Sequence, residues 1–210
     1  MTTPFSYVNA ITLPLYTSER KDTILFENEH HRAIFLMSYN RMDSLDLLSS
    51  KVLGTYKDKY MRFHNNFPKI CNQNFYERGW NYYCNRHGEI FTSKVDIEVA
   101  AKQMMPLLVK EHFKEWSYLL VTNIVHGFKS IFVLLFFIGV FIYSGIKVLK
   151  KYTLENGILF FCSVLILINA FLVAFVAHTI IRYQFYFFPL ALIIVFLLSK
   201  QLIQRYAART

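Results

Sequence analysis

Residues 156–181 read NGILFFCSVLILINAFLVAFVAHTII, 26 positions between Glu155 and Arg182 without an Asp, Glu, Lys or Arg. A spanning helix needs about 20 largely apolar residues, with a range of roughly 17–25, and this run meets the requirement. It has a neighbour on each side. Residues 130–146 (SIFVLLFFIGVFIYSGI) lie between Lys129 and Lys147, and residues 183–199 (YQFYFFPLALIIVFLLS) between Arg182 and Lys200. Each is about 17 residues long, enough because flanking Lys and Arg reach back to the headgroup region. One such run is also compatible with a buried core helix, but three in succession point to a membrane domain. Spans are expected near 130–149, 157–180 and 183–203, within a domain covering 128–210.

The rest of the composition fits this division. The chain is 54% hydrophobic and 18% aromatic, more than a soluble domain of 210 residues readily buries. Most of the excess follows residue 127. Residues 1–127 carry a net +2, whereas 128–210 carry +7 with Glu155 as their single acid. These cations sit at the ends of apolar runs, as membrane topology requires and a phosphate-tracking face does not, so no nucleic-acid partner is expected.

Orientation follows from the loops. Lys147, Lys150 and Lys151 mark the first connection, and Lys200, Arg205 and Arg209 mark the tail. Positive loops stay cytoplasmic. The C-terminus is therefore expected inside, and Arg182 and residues 1–127 outside. Residues 1–16 (MTTPFSYVNAITLPLY) lack a basic leader, a long apolar core and an A-x-A cleavage site. The simplest expectation is that an upstream span of a longer protein, or a separate chain, delivers this region.

Within residues 1–127 the periodicity predicts mostly helix. Leu45, Leu48, Val52, Tyr56 and Tyr60 have helical spacing over 43–64. Residues 65–88, rich in Asn, Gly and aromatics, read as an irregular loop. Ser93-x-x-Asp96 resembles a capping box before a helix over 97–122. Trp116 and Tyr118, close to the first span, favour an interfacial position for that helix, with a soluble-core helix as the alternative. Cys71 and Cys84 bracket CNQNFYERGWNYYC, and two readings are open: a disulfide, if the region is exported, or two free thiols.

Few residues carry a chemical signature. His30-His31 beside Glu27 and Glu29 reads as a polar turn, because adjacent side chains diverge. Glu111-His112-x-x-Glu115 has the wrong order for a zinc-protease helix. No metal site is expected, and no nucleotide or nucleophile motif is present. His178 and Arg182, four residues apart, can share one face of a helix end with Tyr183 alongside. Such a group either contacts a lipid-linked phosphate or anchors the span at the interface.

Two stretches carry a family resemblance. Residues 177–198, AHTIIRYQFYFFPLALIIVFLL, resemble the closing segment of multi-spanning glycosyltransferases of the GT-C type. These include protein mannosyltransferase-like enzymes and the bacterial transferases that decorate lipid A and polysaccharides from polyprenyl-phosphate sugars. Residues 100–128, AAKQMMPLLVKEHFKEWSYLLVTNIVHGF, are similar to the family's outer helix before a late span. The resemblance covers roughly 95–199. It implies a mainly α integral membrane protein of the bacterial inner membrane, with a mostly helical extracytoplasmic region. It further implies sugar transfer from a polyprenyl-phosphate donor at the outer face. Arg182 would then hold the donor phosphate, supported by Tyr183 and His178. The family's catalytic acidic motif lies in its first outer loop, and nothing here corresponds to it. Asp43, Asp46 and Glu27 do not replace it. The expectation is a C-terminal portion, inactive alone, with no cofactor of its own; any divalent cation of the full-length family has its ligands outside this chain. The alternative is a small non-enzymatic membrane protein whose extracytoplasmic domain binds a partner.

Overall fold

The computed structural model describes residues 6–180, 185 and 187–207. The protein is mainly α, with no strand among the described residues. Its contacts divide it into two units. The first is Met1–Asn123 with Phe175–His178; the second is Ile124–Ala174 with Thr179–Thr210.

The first unit is a helical assembly around one apolar core. It begins with two short helices, α1 (Tyr7–Ala10) and α2 (Thr12–Thr17), and a 3-10 turn at Arg20–Leu25. Four longer elements follow: α3 (Glu29–Ser44), α4 (Tyr56–Ile70), α5 (Glu77–His87) and α6 (Ile90–Glu111). Most of α7 (Phe113–Gly127) completes it. Side chains from nearly all of them are fully buried, among them Leu15, Tyr16, Phe35, Phe63, Phe75 and Ile97. Glu98 of α6 ties down the start of the chain: its carboxylate accepts from the Tyr7 amide (2.7 Å), the Val8 amide (3.2 Å) and the Ser6 hydroxyl (3.0 Å). Those amides have no partner within their own helix, and a carboxylate is suited to them.

Several expectations require correction here. The helix read over 43–64 is broken between α3 and α4: Asp46 has φ +52° and Gly54 φ +121°, conformations that end a helix. α4 starts at a capping box, Thr55 with Asp58, whose carboxylate accepts from the Thr55 amide at 2.8 Å. The segment read as a loop, 65–88, is helical. α4 continues through Pro68 into a π-helical stretch, Cys71–Tyr76, and then into α5. Tertiary packing overrides the weak local propensity: Phe67, Ile70, Phe75 and Tyr83 are buried along it. Gly79 lets α5 close on its neighbours, for a Cβ there would lie 2.2 Å from Ile97 Cδ1 and 3.4 Å from Ile34 Cγ2.

The capping box read at Ser93 is not made. α6 begins earlier, at Ile90, and Ser93 donates its hydroxyl to the Glu89 carbonyl from inside the helix (2.6 Å). The single helix read over 97–122 is two, parted at His112. α6 buries Ile97, Ala100, Ala101, Met104 and Leu108 as a core helix does, whereas Phe113, Tyr118 and Val121 of α7 are exposed. The disulfide reading also fails, since Cys71 and Cys84 are free thiols. Thirteen helical positions separate them, roughly 20 Å along an axis rising ~1.5 Å per residue, far beyond bridging distance. Cys71 is buried and donates to Asn9 Oδ1 (3.2 Å), and burial pushes its thiol up to about 11.

Among the described residues of the second unit are three helices long and apolar enough to cross a membrane: α8 (Ile131–Lys150), α9 (Leu154–Val176) and α10 (Phe187–Ala207). Phe137, Val140, Leu159, Cys162, Ile166, Ile194 and Leu197 form their common core. Phe132, Leu192 and Phe196 point outward and are more than two-thirds exposed, an arrangement that suits hydrocarbon rather than water as the surroundings. Pro189 lies in the first turn of α10, where its missing N–H is tolerated.

Candidate functional site

Phe175–His178, the end of α9 and the two residues after it, belong to the first unit. Polar and ring contacts hold them there. Asn123, near the end of α7, is fully buried and donates through Nδ2 to the Ala177 carbonyl (2.8 Å). Trp116 meets Phe175 edge to face at 6.0 Å. The His178 ring sits between α4 side chains, 5.0 Å from His64 and 4.2 Å from Phe67 by ring centroids.

The site is built from residues one or two turns apart on α4. Tyr60, His64 and Phe67 follow at intervals of four and three, so helical periodicity sets them on one face. The buried Tyr60 hydroxyl donates to Asn123 Oδ1 (2.7 Å) and lies 3.3 Å from His64 Nδ1. Beside this cluster Tyr16 donates its hydroxyl to the Lys59 carbonyl (2.8 Å), and burial raises that phenol above its ordinary range. Lys59 in turn pairs with Glu115 of α7 at 2.6 Å. A chain of polar contacts thus runs from α2 through α4 and α7 to the segment ending at His178.

Of the three residues read as a phosphate-binding group, only His178 is described, and it is gathered with His64, which the sequence reading did not select. Arg182 and Tyr183 lie outside the described residues. Sequence periodicity could have put Tyr60, His64 and Phe67 on one face, but nothing local connects that face to His178. Two imidazoles in ring contact can each donate N–H to an anion, and a shared anion offsets their mutual repulsion when both are protonated.

The other polar groups have structural employment. His112 meets the buried Asp22 at 2.6 Å and so fastens the 3-10 turn to the end of α6. His30 contacts the Tyr82 hydroxyl at 2.9 Å while His31 turns inward and is buried. Burial, and then the neighbouring His30, lower the His31 pKa. Among the described residues no group of three or more His, Cys, Asp and Glu is arranged to hold a metal ion. Compared with protein-family models, curated proteins and solved structures, the chain matches none.

Proposed function

We propose that this chain is the closing portion of a membrane glycosyltransferase that takes a sugar from a polyprenyl-phosphate carrier at the outer face of a bacterial inner membrane. In this reading α8, α9 and α10 span the bilayer, the first unit is extracytoplasmic and the C-terminus is cytoplasmic. The chain anchors the lipid-linked donor, and the catalytic carboxylate comes from spans upstream or on another chain. The observation that carries the reading is the docking of Phe175–His178 on the first unit. That docking sets the His64 and His178 imidazoles together, and His178 lies four residues ahead of Arg182 and five ahead of Tyr183 along the chain. Basic and hydrogen-bonding groups at a span end are the chemistry that a lipid-linked phosphate requires.

The test is binding of a polyprenyl phosphate to the purified chain in detergent, run beside an assay of sugar transfer from a polyprenyl-phosphate donor. The expected result is saturable binding, weakened roughly ten- to 100-fold by His64→Ala or His178→Ala, the loss of one hydrogen bond to a charged group, with no transfer. Robust transfer by this chain alone overturns the claim that it lacks the catalytic half. Absence of binding removes the anchoring role and favours a non-enzymatic, partner-binding membrane protein.

A further inference from the structure

The cations at the Lys147 end of the three apolar helices have no role in the donor site. Tyr143 of α8 is their focus. Arg205 of α10 donates to the Tyr143 hydroxyl at 2.6 Å, and Lys147 stands 5.8 Å from the centre of its ring. The hydroxyl in turn donates to Gln201 Oε1 (3.3 Å), whose amide donates to Asn156 Oδ1 (3.2 Å). These side chains line a cavity of about 310 Å³ containing two cations and no carboxylate. The one acid of residues 128–210, Glu155, is engaged elsewhere, bridged to Lys200 at 2.7 Å. Among the described residues of the unit no carboxylate balances the positive charge in this cavity.

A second hollow, of about 480 Å³, shares Tyr143, Gln201 and Arg205 with the first. The rest of its lining is apolar: Phe136, Gly139, Val140, Leu198 and Leu202 from the facing sides of α8 and α10. The space beside Gly139 is open, with nothing within 4 Å of the place a Cβ would take. A cationic, hydrogen-bonding head thus continues into an apolar slot along the helices. This is the shape and polarity of one lipid molecule with an anionic phosphate headgroup.

We propose that the groove between α8 and α10 is a binding site for an anionic phospholipid, its phosphate at Lys147 and Arg205 and an acyl chain along Gly139. The proposal rests on the membrane-spanning part of the functional reading and not on its transferase part. Charge complementarity selects the occupant: a zwitterionic lipid brings its own cation to two already present. Basic pockets between membrane helices take acidic headgroups for this reason.

The test compares retention of phosphatidylglycerol and phosphatidylcholine by the purified full chain after reconstitution into mixed vesicles. Flotation of the chain with the vesicles is scored first. Phosphatidylglycerol is expected to be retained about 25-fold in preference. The double substitution Lys147→Gln/Arg205→Gln is expected to remove that preference, at about fivefold per cation. Gly139→Leu, which fills the slot and favours helix, is expected to lower phosphatidylglycerol retention severalfold with both cations intact. Excess inorganic phosphate is expected not to displace the lipid. Equal retention of the two lipids overturns the proposal, as does a preference untouched by the double substitution. A preference untouched by Gly139→Leu reduces the site to surface attraction and overturns the groove, and full displacement by phosphate makes it a free-anion site. Failure to float refutes the membrane reading itself, separately from any lipid preference.

Discussion

Asn123 offers a sharp test of how the segment Phe175–His178 is held. Its side chain is fully buried and bridges two partners, accepting from Tyr60 Oη at 2.7 Å and donating to the Ala177 carbonyl at 2.8 Å. Asn123→Leu keeps the volume close but abandons a buried phenol and a backbone carbonyl. A buried polar group left without its partner costs about 1–3 kcal/mol. Tyr60 also lies within reach of His64 Nδ1, so part of that cost is recovered there. A total of about 2–3 kcal/mol is expected, and because the bridge holds Phe175–His178, it should appear as local opening of that segment. At ~1.4 kcal/mol per decade, amide exchange across 175–178 should accelerate roughly 30- to 150-fold, read by hydrogen–deuterium exchange with mass spectrometry. Tyr60→Phe alone should cost less, about 1 kcal/mol, since Asn123 keeps its bond to Ala177. In the double variant the stranded phenol is gone, so the cost should fall below the sum of the single effects. Unchanged exchange at 175–178 in Asn123→Leu would refute the argument, and strict additivity would show that Tyr60 and Asn123 are not coupled.

Four further outcomes are expected. Gly79→Ala should destabilise the first unit by about 1–3 kcal/mol, because Ile97 is fully buried and cannot yield without moving its neighbours; thermal unfolding followed by tryptophan emission would register it. Alkylation in denaturant without reductant should add three labels per chain, whereas in the native state Cys84 should react well before Cys71, whose thiol is buried and raised to about 11; a single label in denaturant would signal a disulfide after all. Burial lowers the His31 pKa in the folded protein, so the unfolded chain binds the proton more tightly. Its contribution is complete above about pH 6.5 and is lost as pH falls through the depressed folded value, and His31→Gln should flatten that part of the stability profile. Asp58 is held below the usual carboxylate range, first by the Thr55 hydroxyl and then by the Thr55 amide, so helicity at the start of α4 should fall at acid pH, and Asp58→Asn should blunt the change seen by exchange at residues 55–59.

What the sequence disclosed depended on the range of the signal. The three apolar helices were legible because each holds a long uncharged run bounded by charged residues, a property independent of the rest of the chain. The segment from Asn65 to Gly88 was misread because Asn, Gly and aromatic residues have weak helical preference, and its helicity comes from burial of Phe67, Ile70, Phe75 and Tyr83 against other elements. Gly79, within that segment, is a close-approach position, which only the neighbouring Ile97 explains. The pairing of His64 with His178 joins residues far apart in the chain, and neither has a local pattern that names the other. Charge at Lys147 and Arg205 was visible as topology; that both converge on Tyr143 was not.

The π-helical stretch Cys71–Tyr76 has a consequence for how the long helical run is phased. A π turn holds more residues than an α turn, so the stretch acts as a phase shifter between α4 and α5. Upstream of it, Tyr60, Phe63 and Phe67 face the core; downstream, Gly79 and Tyr83 do so. Removing Asn72 or Gln73 would leave every core side chain chemically intact yet turn the whole of α5 by about 100°, the angle per residue of an α-helix. Gly79 would swing off Ile97 and a bulkier neighbour would take its place. A single deletion at this point therefore behaves as a rotation of eleven residues, whereas point substitutions of its exposed residues, such as Asn72 and Gln73, leave the phase untouched.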